Sequence, residues 1–486
     1  MTSTFATLGT ALSGLDAART ANSVAGHNTA NAGTAGYTRQ RVETSSAAAP
    51  ARTGIVVAPG AAAGQGIRTD GVSRLGDPLL DAAVRRAAGQ TGAAAVRADA
   101  FAGIEATLRE PGPDGVSAKL ADFWAAWEGV ANQPGQEPPA EGLLRAAGDL
   151  VQQLAAGRAE LEGQWSTARA TLVQDTAQLN AIASRIAELN LAVRSAAAAG
   201  HPALELVDER AVLAEKAASL AGATVRPAAD GTVDVLVGGI ALVTGGTARS
   251  LAVVGADSLD RLGQSGSVQD GPVRIEWTHR PGVDAAVDGG RLAGAVTVLA
   301  PAVATGSGVG GGGPLAEAVA HYDALAADLA SRVNDAHRAG WTPDGAPAGD
   351  FFTLAPGLPA AAGLTVAVVS ARQLATGTAG AGPLDGSNAQ ALARLGEGAG
   401  SPDAGWNAGV TRIGAASSSA ASQAFLAEAT SAAAKGAQLA GSSVSLDEEA
   451  VALVAAQHAY QASARVLTAV DEMLEILISQ TGRVGR

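Results

Sequence analysis

The sequence predicts a mainly α-helical protein with a small antiparallel β domain inserted, in which the terminal helices pair as a coiled coil beside a central helical bundle domain. Three observations support this fold class. Apolar residues recur at helical spacing over most of the chain, the spacing changes to alternation near residue 223, and both ends carry apolar stripes. The 486 residues suffice for roughly three domains of ordinary size.

The N-terminal stripe contains four apolar residues that share one helical face because they are spaced three, four and three apart: Phe5, Leu8, Leu12 and Leu15. The stripe fades in residues 28–40, NTANAGTAGYTRQ, where asparagine and glycine predict a break followed by an extended segment. We therefore predict a first helix of about 25 residues, about 37 Å long at 1.5 Å per residue.

The C-terminal helix is predicted to begin at Ser445, because Ser445 to Glu448 fits the S-x-x-E capping box. An a/d series follows that is apolar at eight of ten positions: Leu446, Ala450, Leu453, Gln457, Tyr460, Ala464, Leu467, Asp471, Leu474 and Ile478. An adjacent stripe contains Val466, Val470, Met473 and Leu477. The doubled stripe is wide enough for more than one neighbour, although periodicity alone also allows a helix docked on the protein's own core.

The carboxylates of Asp447, Glu448 and Glu449 fall in the first turn of this helix, where we expect them to complement the helix dipole.

Helical patterns also dominate from about residue 77 to residue 221. Asp77 and Pro78 provide a cap and a first-turn proline, and residues 135–142 predict a turn before a long helix that reaches about Ala199. Another helix presents four apolar residues on one face, Leu120, Phe123, Trp124 and Trp127. We predict that this aromatic face is core, because no polar groups converge on it.

A β-hairpin is predicted where valines alternate at 233, 235 and 237 and Gly238-Gly239 provides a two-residue turn before IALVT. A further strand has Val273, Ile275 and Trp277 on one face. Helical pattern resumes over 315–337, FFTLAPG and LTVAVVSA predict short strands after it, and a helical segment with a loop at 396–405 covers 388–439.

These patterns predict three nested domains, with both chain ends lying together. Residues 1–72 and 440–486 form the terminal coiled-coil assembly domain. The helical domain consists of 73–222, 292–340 and 385–439, and the β-rich outer domain of 223–291 with 341–384.

Charge and composition exclude several classes of function. The net charge of −13 and the lack of a basic run argue against a nucleic-acid partner. The absence of cysteine excludes disulfides, thiolate metal sites and cysteine nucleophiles. The sequence has no apolar run of about 18 residues that could span a bilayer. We therefore expect no membrane partner. The first 18 residues lack lysine and arginine, so we also expect no cleaved leader.

Enzyme chemistry has few candidate residues. The glycine-rich segment 306–313 contains G-x-G-x-x-G at Gly306, Gly308 and Gly311, but no β-α-β alternation follows, which favours a flexible linker over a phosphate site. The six histidines form no ligand pair at short spacing, and we expect His337 to cap a helix end. We therefore expect no enzyme, no catalytic or metal site and no cofactor.

The two ends together resemble the terminal signatures of bacterial flagellar axial proteins, those of the rod, the hook and the hook–filament junction. The matching stretches are residues 11–19, 28–31, 36–40, 446–449, 457–464 and 471–474. The interior is similar to the hook-associated protein 1 family, the first of the hook–filament junction proteins, at residues 122–127, 208–210, 242–245, 334–340 and 350–352.

The resemblance implies a structural adaptor ring between hook and filament, exported unfolded by the flagellar type III apparatus. Its implied partners are copies of itself, the hook protein, the second junction protein and a cytoplasmic export chaperone on the C-terminal helix. It implies a location outside the cell on the flagellum, and in the cytoplasm before export. Another axial protein, of the hook or distal rod, and a secreted enzyme remain as alternatives.

The assembly interface implied by the resemblance combines the terminal stripes with the extended segment after the first helix. Its expected residues are Phe5, Leu8, Leu12, Leu15, Asn28, Asn31, Gly36, Tyr37, Leu446, Leu453, Tyr460, Leu467, Val470, Leu474 and Ile478.

Overall fold

Long helices make up most of the structure. The computed structural model describes residues 4–47, 66–262, 270–303 and 312–481. Its helices are α1 (Thr4–Asn31), α2 (Pro78–Leu108), α3 (Val116–Asn132), α4 (Glu137–Ala198), α5 (Leu204–Ala221), α6 (Gly290–Val298), α7 (Pro314–Ala339), α8 (Ala360–Gly363), α9 (Ser387–Ala393), α10 (Pro402–Ser442) and α11 (Leu446–Thr481).

Short antiparallel strands complete the described residues. They are β1 (Gln40–Ser46), β2 (Ile67–Arg74), β3 (Thr224–Pro227), β4 (Val233–Val237), β5 (Ile240–Thr244), β6 (Thr247–Ala248), β7 (Leu251–Val254), β8 (Arg274–Trp277), β9 (Arg280–Asp284), β10 (Phe352–Leu354) and β11 (Leu364–Val366). They pair as β1-β2, β3-β4-β5-β6, β7-β8-β9 and β10-β11. The predicted fold class, mainly α with small antiparallel sheets, is confirmed.

Local capping chemistry starts several of these helices. The Asp77 carboxylate accepts a hydrogen bond from the Leu79 N–H at 2.7 Å, and Pro78 occupies the first turn of α2. The Ser445 hydroxyl accepts one from the Glu448 N–H at 3.5 Å, and α11 begins at the next residue. Both predicted starts are confirmed.

The predicted turn at 135–142 is shorter than expected. The structure ends α3 at Asn132 and begins α4 at Glu137, so residues 137–142 are helical. Pro138 and Pro139 favour this start. The N–H groups of a first helical turn have no intrahelical acceptor, so proline, which lacks an N–H, loses no hydrogen bond there.

The 62-residue helix α4 is the longest of the helices described, about 93 Å at 1.5 Å per residue. It contacts α3, α5, α6, α7 and strands of three sheets. Its apolar face is fully buried along most of its length, at Leu143, Leu150, Leu154, Leu161, Trp165, Leu172, Leu179 and Ile186. The main core therefore follows this one helix.

An aromatic cluster joins α3 to the segment after α7. Phe123 lies 5.8 Å from both Phe351 and Phe352 between ring centroids, and Trp127 lies 5.2 Å from Phe351. All four rings are fully buried. The prediction that the aromatic face of α3 is core is confirmed.

The predicted hairpin of β4 and β5 is also confirmed. Gly238 and Gly239 have φ angles of +54° and +78°, a pair of left-handed residues that suits a two-residue hairpin turn. Two asparagines of α4 hold the sheets. The Asn190 amide bonds the backbone of Val233 and Gly245, and the Asn180 amide bonds both backbone groups of Leu251.

The segments 223–291 and 341–384, predicted as one outer domain, form separate sheets. The β10-β11 pair packs on α4 and α7, and the Asn334 side chain holds it by accepting from the N–H groups of Phe351 and Phe352 and donating to the Phe352 carbonyl. The two β segments are thus joined through the helical core and have no sheet in common.

The predicted capping role of His337 is wrong. Its ring is fully buried, where Nδ1 lies 2.7 Å from the Gly349 carbonyl and Nε2 accepts the Ala375 N–H at 3.0 Å. Burial lowers the pKa of His337, which favours the neutral ring that can donate at one nitrogen and accept at the other. His337 therefore joins two loops. The predicted linker at Gly306, Gly308 and Gly311 lies outside the described residues.

Truncating the buried ring of Phe123 to alanine should lower the free energy of unfolding by about 3–5 kcal/mol, because it leaves a cavity among aromatic rings. Phe425→Ala provides the control, since Phe425 on α10 is 73% exposed and its loss should cost within about 0.5 kcal/mol. Guanidinium unfolding followed by circular dichroism measures both. Equal losses in the two variants would contradict this assignment of the core.

Candidate assembly interface

The helices α1 and α11 come from opposite ends of the chain and pack against each other in antiparallel orientation. Asn28 of α1 bonds Glu449 near the start of α11, whereas Gly14 approaches Ser463 further along. A Cβ atom at Gly14 would lie 2.9 Å from the Ser463 hydroxyl, so the helices approach closely here. The expectation that both chain ends lie together is confirmed.

Small residues form most of the contact surface of α1. Its buried residues are Ala11, Ala17, Ala18, Ala25 and Asn28. The large side chains of Leu8 and Leu15 are only half-buried, and Leu12 is 50% exposed. The side chain of Phe5 lies outside the described residues. The N-terminal apolar stripe thus contributes less to this pair than the alanines beside it.

The seam of α11 has a different register from the predicted a/d series. Seven of its buried or half-buried residues follow steps of four and three with one omission: Glu449, Leu453, Ala456, Ser463, Leu467, Val470 and Leu474. Ala464 beside them is also half-buried. Six of the ten residues of the predicted series are therefore exposed outside this seam, with Leu446 and Ile478 at 56% and 73%, and four are half-buried: Leu453, Ala464, Leu467 and Leu474. Small residues such as Ala456 and Ser463 take the seam because the alanine-rich face of α1 allows close approach.

Large apolar side chains on several sides of α11 remain exposed beside the seam, and we name them together the outer stripe. It consists of eight large side chains that are 43% to 73% exposed: Leu446, Val451, Val454, Tyr460, Val466, Met473, Ile476 and Ile478. So many exposed apolar residues on one helix are typical of a surface that binds another protein.

The polar end of the helix pair is organised by Asn28, which is only 1% exposed. Its Nδ2 donates to the Gln40 carbonyl at 2.9 Å and to Glu449 Oε2 at 3.0 Å. Its Oδ1 accepts from the Gln40 N–H at 2.9 Å and from the Tyr37 hydroxyl at 2.7 Å. The amide thus uses both donors and both lone pairs, and it ties α1, α11 and the start of β1 together.

Sequence reasoning missed the central role of Arg39 and Glu449. The Glu449 carboxylate is 2% exposed and accepts from Arg39 Nε at 2.6 Å, and the same guanidinium also pairs with Glu448. The expected dipole role of these carboxylates is therefore incomplete. Both residues lie in stretches that match the terminal signatures, Arg39 in 36–40 and Glu449 in 446–449, but they are 410 positions apart and the sequence does not pair them.

The other three predicted residues of this segment have structural roles at the end of α1 and in the loop between α1 and β1. Tyr37 is half-buried, and burial, followed by the nearby Asp208 carboxylate, raises its pKa to about 12, so the hydroxyl keeps the proton that it donates to Asn28. Gly36 has a φ angle of +82°. The half-buried Asn31 bonds the His27 carbonyl at 3.0 Å.

Sites for small molecules or metals have little support in the described part of the chain. Residues 4–47, 66–262, 270–303 and 312–481 contain no group of three or more His, Asp or Glu that could hold a metal ion. None of the helices described is long and apolar enough to cross a membrane. A cavity of about 650 Å³ between α2, α6 and residues 222–225 is lined by Arg85, Arg86 and Arg97 and several glycines and alanines.

Two protein families match this chain. The family described as "Flagellar hook-associated protein FlgK helical domain" matches residues 101–352, which is more than half of the chain. The chain belongs to the flagellar hook-associated protein FlgK family. It is a component of the flagellar hook–filament junction. The family described as "Flagellar basal body rod FlgEFG protein C-terminal" matches residues 436–480, which include most of α11.

Individual FlgK relatives agree with this assignment. The flagellar hook-associated protein 1 of Bacillus subtilis is 26% identical over 517 aligned residues that cover all of both chains. The protein of the same name from Salmonella typhimurium is 27% identical over 248 residues, half of this chain and 43% of its own length. The flagellar hook junction protein FlgK from Burkholderia pseudomallei shares the fold, with a TM-score of 0.63 at 15% identity, over 74% of this chain and all of its own.

These findings confirm the resemblance of the sequence to hook-associated protein 1. They also distinguish a junction protein from another axial protein of the hook or distal rod. The C-terminal match is to a region of rod proteins, but the interior match is to the helical domain of FlgK, which favours the junction over the hook or rod.

Replacing Glu449 by alanine should loosen the terminal helices, because Asn28 and Arg39 both lose a buried partner, at a cost of about 1–3 kcal/mol. Glu448→Ala provides the matched control, since the Glu448 side chain is 63% exposed and binds the same arginine, and such exposed pairs contribute about 0–1 kcal/mol. Amide hydrogen exchange over residues 446–481 measures the effect. Faster exchange in Glu448→Ala than in Glu449→Ala would rule out the buried network as the main restraint.

Proposed function

We propose that this FlgK-family chain is a structural adaptor subunit, and that copies of it form a ring at the hook tip through their terminal helices. Its mechanism is burial of apolar surface, and no covalent bond is made or broken. The hook protein would lie on one side of the ring and the second junction protein on the other. Family membership supports the site of action, and the outer stripe of α11 supports the mode of assembly.

The outer stripe is the observation on which this proposal depends. The pairing with α1 already uses the seam of α11, yet eight large apolar side chains on the outer stripe remain exposed. If neighbouring copies covered them, each could gain about 1 kcal/mol, or on the order of 8 kcal/mol per subunit before ordering costs. That gain would favour assembly and would offset part of the entropy cost of association.

The remaining partners follow from the same surface. An apolar helix that is exposed before assembly needs protection in the cytoplasm, which supports an export chaperone on α11. Export through the flagellar type III apparatus would then deliver the chain to the outside of the cell. In this proposal the predicted interface residues of α11 divide into two groups. Those in the seam join α1 to α11, and Leu446, Tyr460 and Ile478 face neighbouring copies.

The terminal assembly domain would consist of α1, β1, β2 and α11, and the other elements would form the outer part of the ring. An enzymatic role is not part of this proposal, because the FlgK relatives are flagellar proteins and the described residues contain no group of three or more His, Asp or Glu that could hold a metal ion.

Deletion of residues 446–486 should leave the helical part folded, because the described core cluster extends from Phe101 to Ala420 and includes no residue of α11. The purified truncated chain should show cooperative unfolding, and when added to isolated hooks it should fail to bind them. Use of purified protein separates this failure from a failure of export. Hooks that bind the truncated chain and then support filament growth would disprove the role of α11.

A single charge on the outer stripe should weaken assembly without disturbing the helix pair. Val451→Asp places an unpaired carboxylate where a neighbouring copy would bury it, at a cost of several kcal/mol, so binding to hooks should fall at least about tenfold. Val369→Asp is the control, because Val369 is 77% exposed on the helical part and Val451 is 71% exposed. Co-sedimentation with hooks measures both, and equal binding by the two variants would reject the outer stripe as an interface.

A further inference from the structure

The terminal unit, defined as α1, β1, β2 and α11, does not share the apolar core of the rest of the molecule. Within the described ranges, the buried cluster that follows α4 includes residues from Phe101 to Ala420 and none from these four elements. Two short backbone crossings connect the parts, one between β2 and α2 and one between α10 and α11. Something other than a common core must therefore set the angle between the two parts.

The contacts across this boundary are mostly polar, and they converge on two carboxylates of α5. Asp208 Oδ2 accepts the Thr38 N–H at 3.2 Å, and Asp208 Oδ1 lies 2.7 Å from Arg74 Nε. The contact between Arg74 Nε and Asp208 Oδ1 does not have the geometry of a hydrogen bond, so it is an ion pair. Arg74 also donates to the Thr38 hydroxyl at 2.8 Å, which fixes its guanidinium beside Asp208.

The other carboxylate, Glu205, makes weaker contacts at the edge of the boundary. Its Oε1 accepts from Gln40 Nε2 at 3.3 Å and lies 3.2 Å from His27 Nε2. The side chain of Glu205 is 61% exposed, whereas that of Asp208 is 8% exposed. One backbone bond, from the Arg39 N–H to the Ser442 carbonyl at 2.9 Å, completes the polar contacts from this loop and strand. Asp208 is thus the buried residue of α5 that joins the terminal unit to the rest of the molecule.

Apolar packing at the boundary is sparse. A cavity of about 630 Å³ lies between the loop of residues 32–38 and the helices α2, α5 and α10, and Arg74 and Gly76 line its terminal side. Gly36 approaches α5, where a Cβ atom would lie 2.3 Å from a methyl group of Val212. A hollow boundary gains little from burial, so loss of its polar contacts should free the two parts to move.

The terminal unit itself is held more firmly than its attachment. Asn28 and Glu449 are almost fully buried, and every hydrogen-bonding position of the Asn28 amide is used inside the unit. The boundary contacts can therefore break while the internal contacts persist, so the unit would move as a rigid body.

From this difference we propose that Asp208 is the positioning residue of a releasable latch, which with Arg74 and Thr38 sets the angle of the terminal unit on the helical part. The proposal deepens the assembly role and rests on it, because the angle of the terminal helices decides how neighbouring copies meet. Release of the latch allows the outer part of a subunit to tilt while its terminal helices stay in the ring.

A distance measurement in the free, full-length chain tests the latch. The protein has no cysteine, so Ser23→Cys on α1 and Ser195→Cys on α4 accept one spin label each at exposed positions. Labelled chains are diluted with unlabelled chain, so that double electron–electron resonance, a pulsed electron paramagnetic resonance method, records distances within single molecules. The otherwise unsubstituted chain should give one narrow distance, and adding Asp208→Ala or Arg74→Gln should replace it by a broad distribution.

Glu209→Ala is the matched control, because Glu209 is the next residue of α5 and its carboxylate binds Arg185 within the helical part. It should keep the narrow distance. Thermal unfolding of the helical part should be the same in all variants, since Asp208 lies outside the apolar cluster.

A narrow distance in Asp208→Ala, a broad one in the unsubstituted chain, or equal broadening in Glu209→Ala would each overturn the latch. These results are independent of hook binding by the free chain. Failure of the latch is therefore distinguishable from failure of the proposed assembly function.

Discussion

The close pairing of α1 with α11 is the contact on which the rest of the assembly surface depends. Alanines and Gly14 on α1 meet small residues of α11 such as Ala456 and Ser463, so the two backbones approach closely. The seam uses only some of the apolar side chains of α11, and many of the large ones are left outside it. The chain thus makes a close pair and keeps large apolar side chains exposed, which in the proposed function contact neighbouring subunits.

The buried polar network around Asn28 fixes the register of this pair. Alanine-rich surfaces are nearly uniform, so packing alone distinguishes poorly between helices in register and helices shifted by a turn. A shift would leave the Asn28 amide and the Glu449 carboxylate buried without partners, which is costly in a low-dielectric interior. Arg39 extends this control to the chain after α1, because it joins that segment to the first turn of α11.

The helical part is stabilised in a different way. Its core follows the long face of α4, and α3, α7 and the small sheets add aromatic and aliphatic side chains to it. The two parts of the molecule meet through carboxylates of α5 and a hollow boundary, with no common apolar core among the described residues. Such a boundary would allow the proposed change of angle between two rigid parts.

The sequence by itself determined the fold class, the helix starts at Asp77 and Ser445, the glycine turn between β4 and β5, and the family. These features depend on neighbouring residues or on short motifs, which a sequence displays directly. Only the tertiary structure decided the register of α11, the buried role of Glu449 and the fastening of Thr38 to Asp208. Each of these depends on residues separated by well over a hundred positions, and local periodicity contains no information about such partners.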